Sequence, residues 1–288
     1  MRIGWIGTGL MGEPMAARLL AAGYRVAVHN RTRAKAEPLL DQGAEWAGSI
    51  AEAARERDLV VTMLPFPADV ETAYLGPDGI FAAASPGTVA VDMSTSSPEL
   101  ARRLGGHGQV LDAPVSGGPA GARSGGLSVF VGGDIGAFER VRSVLEVLGT
   151  TIVHHGPAGS GQAAKLINQA LVANVTLGVC EAFAAAEAVG LDPARVRESL
   201  RVGVAGSPLL DFAWTRLSEQ DLEPGFKIEH LAKDLGLALG EVGDARELPG
   251  TRLVLDLCRA VADAHGGDRG TQALITQTMP TAHTEGHR

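Results

Sequence analysis

The chain has 288 residues, of which 45% are hydrophobic, and its formal net charge at pH 7 is −8. This length supports one large hydrophobic core or two modest ones, and the acidic balance disfavours a nucleic-acid-binding surface, which is normally basic. The two cysteines, Cys180 and Cys258, lie in apolar helix-like stretches. We therefore expect buried free thiols, and the sequence offers neither a disulfide framework nor metal-ligand spacing.

The sequence contains no signal-peptide pattern and no run of about 18 uninterrupted apolar residues. These features predict a cytoplasmic protein without a transmembrane helix. The tail from about residue 281 to 288 is polar and contains His283 and His287. We expect this tail to be disordered rather than to bind a metal.

The N-terminal segment carries a glycine turn. An apolar run at residues 3–6 predicts a buried strand, Gly7, Gly9 and Gly12 follow in G-x-G-x-x-G spacing, and the stretch from Met15 predicts a helix. In dinucleotide-binding turns these glycines allow the tight turn, the approach of a pyrophosphate and helix packing on the strand. The helix start favours phosphate charge. The alternative is a purely structural turn.

A second predicted strand, residues 25–29, ends in a basic turn. Asn30 stands where NAD-binding sheets place a carboxylate for the ribose 2′-hydroxyl, and Arg31, Arg33 and Lys35 follow. The planar donor fork of arginine suits a 2′-phosphate. The turn therefore favours NADP over NAD, the alternative being an ordinary solvated basic turn.

Strands and helices then alternate. We expect helices over 34–42, 68–75 and 135–148, and strands over 58–64, 88–93, 109–113, 127–132 and 151–154. Ser97 is a candidate cap for a further helix. This alternation predicts an α/β Rossmann-type doubly wound sheet, mostly parallel. Ligands bind beyond the carboxyl ends of such strands, so Leu64, Pro65 and Thr95 are candidate cofactor contacts or else ordinary turn residues.

The pattern becomes helical after the glycine-rich residues 156–161. Residues 162 to about 189 predict one long helix, and further helices are expected over 193–202, 209–219, 226–242 and 248–265. We therefore predict a Rossmann domain over 1–160 and an all-α domain over 161–288. The long helix is apolar on more than one face, which indicates burial, in part by a second subunit.

Two segments are candidates for binding and chemistry. Ser116, Gly117 and Gly118, in a Gly- and Pro-rich segment, are suited to present a hydroxyl and backbone N–H groups to a carboxylate; the alternative is a simple loop. Lys165 and Asn168 share a helix face near the predicted domain boundary. Desolvation of a lysine in such an apolar stretch favours proton transfer near neutral pH. The alternative is a surface lysine whose stem covers apolar surface.

These motifs together resemble the β-hydroxyacid dehydrogenases, the family that includes 3-hydroxyisobutyrate dehydrogenase, tartronate semialdehyde reductase and glyoxylate/succinic semialdehyde reductase. The resemblance covers the chain to about residue 280 and is carried by residues 6–15, 112–118 and 159–168 and by Phe226 with residues 233–235. It implies a Rossmann domain joined to a helical domain and assembly into homodimers or homotetramers. Gln169 stands where many relatives carry a second Asn, although some share this Asn-Gln pair, and Asp69 stands where several relatives carry Asn near the cofactor.

The resemblance also implies roles for individual residues. Lys165 resembles the general acid/base, Asn168 its helix partner, and Lys233 with Asp234 a later contact near the nicotinamide. Ser116, Gly117 and Gly118 resemble the clamp for a substrate carboxylate. The implied cofactor contacts are Gly7, Gly9, Leu10, Met11, Asn30, Arg31, Thr32, Leu64, Pro65, Thr95, Phe226 and Lys233.

The function implied is hydride transfer between NADP(H), with NAD as a second possibility, and a small β-hydroxy acid or semialdehyde. The substrate is a small carboxylate, and neither nucleic acid nor membrane is an expected partner. An alternative enzyme is an NADPH-dependent imine reductase, although that group typically carries Asp or Tyr in place of Lys165. A second alternative is a non-catalytic NADP-binding module.

Overall fold

A computed structural model describes residues 1–278 of the chain. The predicted disordered tail from residue 281 lies outside the described residues. The chain divides into two compact units, the first Met1–Leu166 and the second starting at Ile167. The boundary predicted at residue 160 lies earlier, at the first residue of the helix Ser160–Ala188, which contributes to both units.

The first unit is built on one sheet. Its strands are β1 (Arg2–Ile6), β2 (Arg25–His29), β3 (Glu45–Trp46), β4 (Leu59–Thr62), β5 (Val89–Asp92), β6 (Val110–Asp112), β7 (Val115–Ser116), β8 (Leu127–Gly132) and β9 (Gly149–Gly156). The order is β3-β2-β1-β4-β5-β6-β8-β7, with β9 also paired to β8. Strands β1 to β6 pair in parallel, and β8 runs antiparallel to β6 and β7. The predicted doubly wound, mostly parallel sheet is confirmed.

Helices flank this sheet. They are α1 (Gly12–Ala21), α2 (Glu37–Leu40), α3 (Ile50–Ala54), α4 (Pro67–Leu75), α5 (Ile80–Ala83), α6 (Pro98–Gly105), α7 (Gly118–Ser124) and α8 (Ile135–Leu148), followed by the start of α9 (Ser160–Ala188). Leu59 and Val61 of β4 belong to one hydrophobic cluster and Val60 to another. Alternate residues of a central strand therefore pack into hydrophobic clusters on opposite faces of the sheet. A strand buried on both faces requires a continuous apolar run, which these strands have.

The second unit is helical over the residues that the structure describes. It contains the rest of α9, then α10 (Pro193–Arg201), α11 (Pro208–Ser218), α12 (Ile228–Val242) and α13 (Pro249–His265), and it ends in a 3-10 segment, Thr271–Thr278. Its core includes Trp214, whose ring meets Phe183 edge-on at a centroid distance of 5.3 Å. Cys180 and Cys258 are buried free thiols, as predicted.

Helix α9 is long and apolar enough, by length and composition, to cross a membrane. The helix itself was predicted, but its resemblance to a membrane span was not, because Asn168, Gln169 and Asn174 interrupt the apolar run while the mean hydropathy stays high. A core helix of a soluble protein passes the same test. Cys180 and Phe183 of α9 are buried in the core of the second unit, and 44% of the apolar window of the helix is buried.

Two predicted segments differ from the structure. The helix expected over 34–42 is split into a 3-10 turn, Arg33–Lys35, and the short α2. The Gly- and Pro-rich residues 112–122 are not a simple loop: Val115 pairs with Val129 in the sheet, and α7 begins at Gly118. Strand pairing with distant residues therefore overrides the loop-like composition of this segment.

Candidate functional site

The glycine turn between β1 and α1 is fixed by contacts of its own backbone. Gly7 has a φ of +100°, and its carbonyl oxygen accepts a hydrogen bond of 2.9 Å from Nε1 of Trp5. A Cβ added at Gly12 would collide with the same carbonyl oxygen. Gly7 and Gly12 are therefore required by the turn geometry and by the close packing of helix on strand, as the sequence predicts.

Gly9 differs from its neighbours because a Cβ placed there would meet no protein atom within 4 Å. The next residue, Leu10, is 58% exposed, and α1 begins after Met11 without a side-chain cap. The first N–H groups of an uncapped helix are donors for an anion. The open approach to Gly9 and the helix start fit the pyrophosphate of a dinucleotide.

Asn30 links the glycine turn to the end of β2. Its Oδ1 accepts a hydrogen bond of 3.1 Å from the backbone N–H of Thr8, and its Nδ2 donates one of 2.9 Å to the carbonyl oxygen of Thr32. An amide performs both functions, whereas an ionised carboxylate has no proton to donate to Thr32. Asn30, in place of a carboxylate, therefore affects both the conformation of the loop and its charge.

Two arginines in this loop have different surroundings. The guanidinium of Arg33 lies 5.2 Å from the ring centroid of Trp46, and its Nε is 3.2 Å from Oε1 of Glu37. Arg31 is exposed on the same loop. Because Glu37 and Trp46 engage Arg33, Arg31 is the better candidate for a 2′-phosphate.

A buried polar cluster joins the carboxyl ends of β4 and β5. Oδ1 of Asp92 accepts hydrogen bonds from Oγ1 of Thr62 at 2.8 Å and from the backbone N–H of Ser94 at 3.1 Å. The backbone N–H of Leu64 donates to Oγ of Ser94 at 2.8 Å. This cluster holds in place the loops that carry the predicted contacts Leu64, Pro65 and Thr95, and it was not predicted from the sequence.

Asp92 gives this cluster a pH dependence. Burial raises the pKa of Asp92 to about 6, although hydrogen bonds from Ser94 and Thr62 act in the opposite direction. The folded state thus holds this proton more tightly than the unfolded chain does. The corresponding stability is fully present below about pH 4 and is lost as the pH rises to about 6.

The Asp92→Asn variant removes this titration. We expect its free energy of unfolding, relative to that of the unsubstituted chain, to increase between about pH 4 and pH 7 by on the order of 2 kcal/mol. Urea unfolding at both pH values measures the difference. A difference that stays constant between the two pH values would show that Asp92 does not titrate in this range.

The start of α9 is hydrogen-bonded to the carboxylate of Asp112 at the end of β6. Its Oδ1 and Oδ2 each accept a hydrogen bond of 2.8 Å, from the backbone N–H groups of Gly159 and Gln162 respectively. Burial raises the pKa of the Asp112 carboxyl, and the two N–H donors act to lower it. A Cβ at Gly161 would collide with the carbonyl oxygens of Phe130 and Asp112, so the helix starts in direct backbone contact with the sheet.

Lys165 lies one turn after Gln162 and is 5% exposed. The alternative interpretation from the sequence, in which Lys165 lies on the helix surface, is therefore wrong. A buried amine on a helix that is fixed to the sheet has a restricted position, which is a requirement for directed proton transfer. Its role as acid/base stays a prediction.

The predicted carboxylate clamp lies at the end of β7. Ser116 pairs with Ser128 in the sheet, and Gly117 and Gly118 have φ values of +133° and +61° at the start of α7. A Cβ at Gly118 would meet no protein atom within 4 Å, which leaves the backbone open to a ligand. Binding of a carboxylate here stays a prediction.

In the second unit, two hydrogen bonds and one ion pair connect four predicted or flanking residues into one chain of contacts. Nδ2 of Asn168 donates to Oε1 of Gln169 at 2.9 Å, and Nε2 of Gln169 donates to Oδ2 of Asp234 at 2.6 Å. The other carboxylate oxygen of Asp234 lies 3.0 Å from Nζ of Lys233. Asp234 thus contacts Lys233 directly and is connected to Asn168 through Gln169. Phe226, just before α12, lies outside this chain; its ring centroid is 6.2 Å from that of His230.

Gln169 was identified from the sequence only as a departure from the family pattern. The structure gives it a specific part, since its amide connects Asn168 to the buried carboxylate of Asp234. The sequence feature that could have indicated this connection is the longer side chain, because Gln reaches one methylene further than the Asn of many relatives.

Comparisons with known proteins agree along the whole described chain. Residues 2–156 match the NAD binding domain of 6-phosphogluconate dehydrogenase, and residues 159–278 match the NAD-binding domain of NADP-dependent 3-hydroxyisobutyrate dehydrogenase. The 2-hydroxy-3-oxopropionate reductase of Escherichia coli is 38% identical over 285 residues, covering 97% of each chain.

Two solved structures are also similar. Psf3, in complex with NADP+ and 2-OPP, matches with a TM-score of 0.91 at 29% identity, covering 96% of this chain and 100% of that one. The 3-hydroxyisobutyrate dehydrogenase of Mycobacterium tuberculosis with L-serine has a TM-score of 0.85 at 33% identity, covering 96% and 99%. These matches confirm the resemblance found in the motifs. The chain therefore belongs to the β-hydroxyacid dehydrogenase family and is an NAD(P)-dependent oxidoreductase of the 3-hydroxyisobutyrate dehydrogenase and tartronate semialdehyde reductase type.

Proposed function

We propose that the protein transfers a hydride between NADP(H) and a small β-hydroxy acid or semialdehyde, with Lys165 as general acid/base. The observation that carries this proposal is the burial of Lys165 one turn beyond a helix start that Asp112 fastens to the sheet. An amine so placed is shielded from bulk water and held in one position, as proton transfer to a bound substrate requires.

The residues act in concert on the substrate. The cofactor, when bound, supplies the hydride chemistry. Lys165 removes the hydroxyl proton in oxidation and returns a proton to the carbonyl oxygen in reduction. The Ser116 hydroxyl and the backbone N–H groups of Gly117 and Gly118 hold the substrate carboxylate, and Asn168 orients the substrate hydroxyl.

The choice of NADP over NAD rests on the loop after β2. Asn30 provides no carboxylate to repel a 2′-phosphate, and the exposed Arg31 provides a donor fork for it. We assign the pyrophosphate to Gly7, Gly9, Leu10 and Met11, and the nicotinamide side to Thr95, Phe226 and Lys233. Thr32, Leu64 and Pro65 complete the assigned contacts.

A substrate panel tests the reaction class. We expect NADPH oxidation with short aldehyde acids such as glyoxylate and succinic semialdehyde at kcat/KM values at least about 100-fold above those for a cyclic imine, because Lys165 suits an alcohol–carbonyl pair. Spectrophotometric assays with NADPH and NADH, together with short 3-hydroxy acids in the reverse direction, measure this. Turnover of the imine alone would support an imine reductase, and cofactor binding without any turnover would support a non-catalytic module.

The proposal extends to assembly and location. Ile167 and Leu171, four residues apart on α9, are 72% and 66% exposed. Large apolar side chains on one exposed helix face are typical of an interface between subunits. We propose a cytoplasmic homodimer or homotetramer that acts on a small carboxylate and binds neither nucleic acid nor membrane.

A further inference from the structure

Gln162 is the fully buried residue that connects the start of α9 to the loop after β5. Its Nε2 donates a hydrogen bond of 2.8 Å to the carbonyl oxygen of Ser94, and its Oε1 accepts one of 2.9 Å from the backbone N–H of Ser96. The two contacts lie on either side of Thr95. The side chain of Gln162 therefore binds the backbone on both sides of Thr95, a proposed cofactor contact.

The backbone of the same residue is held by a second strand end. Its N–H donates to the carboxylate of Asp112 at 2.8 Å. The donor and acceptor of the Gln162 amide and its backbone N–H thus all have partners on two different strand ends, β5 and β6. A residue held at three points has little rotational freedom, and a buried amide with both ends paired is costly to disrupt.

Lys165 follows Gln162 by three residues, so the two side chains share a helix face. Any shift or rotation of the first turn of α9 against the loop after β5 would change the distance between Lys165 and Thr95. The contacts of Gln162 oppose that shift directly. Catalysis is sensitive to displacements on the order of 1 Å between reacting groups.

We infer that Gln162 is a positioning residue that fixes the helix turn bearing Lys165 against the cofactor loop at Thr95, and so sets the geometry in which proton and hydride move together. This inference rests on the proposed function of Lys165. Gln162 itself exchanges no proton with the substrate. Its substitution should therefore reduce kcat while leaving the substrate KM almost unchanged.

The principal test variant is Gln162→Met, which keeps the length of the side chain and loses both amide hydrogen bonds. Gln162→Asn is a milder second variant, because its amide is one methylene too short to reach Ser94 and Ser96 together. Thr88→Val is the matched control: Oγ1 of Thr88 donates to the carbonyl oxygen of Arg57 at 2.7 Å, at the opposite end of β5. It removes one side-chain contact in the same unit without touching the helix start.

Two measurements are made on each variant. We expect kcat to fall about tenfold or more in Gln162→Met, with the substrate KM within about threefold, and neither value to change by more than about twofold in Thr88→Val. In the cofactor-free protein, amide hydrogen exchange at Ser96 should accelerate at least about tenfold in Gln162→Met and stay unchanged in the control. Gln162→Asn should lie between them and provides the test if Gln162→Met does not fold.

The outcomes separate this inference from the proposed function. Faster exchange at Ser96 with kinetic constants like those of Thr88→Val would overturn the positioning role and leave Gln162 as a structural residue. Unchanged exchange would overturn the hydrogen-bonded arrangement itself. A Lys165→Met protein that turns over at the unsubstituted rate would instead overturn the proposed function, whatever the Gln162 variants do.

Discussion

Lys165→Met is expected to lower kcat by at least about 10²-fold, the usual contribution of a positioned acid/base. The substitution retains an unbranched apolar side chain of nearly the same length and removes the amine. NADPH binding should stay within about threefold of the unsubstituted value, because the proposed cofactor contacts of the first unit lie on the glycine turn and on the strand ends. Steady-state kinetics with the best substrate of the panel and fluorescence titration of NADPH measure both quantities.

Two further variants define the reason for the loss. Lys165→Arg retains the positive charge but stays protonated at working pH, so it should be as inactive as Lys165→Met if the residue transfers a proton. Lys227→Met removes a partly exposed lysine whose Nζ lies 3.1 Å from Oε1 of Glu229, and it should retain nearly full activity. Activity restored by arginine would contradict proton transfer and indicate a purely electrostatic role.

Arg31→Ala is expected to raise the dissociation constant of NADPH by about 10- to 100-fold and to change that of NADH by less than about twofold. Loss of a hydrogen bond to a charged group costs about 1.5–3 kcal/mol, and each 1.4 kcal/mol corresponds to about tenfold in affinity. Only NADPH carries the 2′-phosphate that Arg31 is proposed to bind. Titration of both cofactors against the cofactor-free protein gives the two ratios.

Arg33→Ala is the matched control for Arg31. It removes the same charge from the same loop, but from a guanidinium that already contacts Glu37 and Trp46. We expect its effect on NADPH binding to be at least about threefold smaller than that of Arg31→Ala. Equal weakening of NADPH and NADH by Arg31→Ala would argue against the proposed preference for NADP.

The parts of the fold set by local pattern were predictable from the sequence. The glycine turn combines a strand, three spaced glycines and a helix within a few residues, and the long α9 has a sustained helical composition without Pro. The predicted cap at Ser97 is confirmed, since its Oγ accepts a hydrogen bond of 3.0 Å from the backbone N–H of Leu100. The short β3, α3 and α5 were missed because segments of two to five residues carry too little periodicity.

The contacts that organise the candidate site could not be predicted in the same way. Thr62 and Asp92 are 30 residues apart in sequence, and Gln162 is 68 residues from Ser94. Thr62 and Asp92 meet because β4 and β5 are paired neighbours in the sheet. Gln162 meets Ser94 because the start of α9 is hydrogen-bonded to Asp112 at the end of the neighbouring β6. A sequence shows the residue types at strand ends, but the partner of each polar group depends on strand order, which is a property of the assembled sheet.

The most direct measurement of the central claim is the rate of hydride transfer in a single turnover. Enzyme loaded with NADPH is mixed with saturating semialdehyde, and the decay of NADPH fluorescence is followed for the unsubstituted chain and for Lys165→Met. We predict a decay that is slower by at least about 10²-fold in the variant, with the cofactor fully bound in both proteins. Equal decay rates would contradict the assignment of Lys165 as the group that moves the proton.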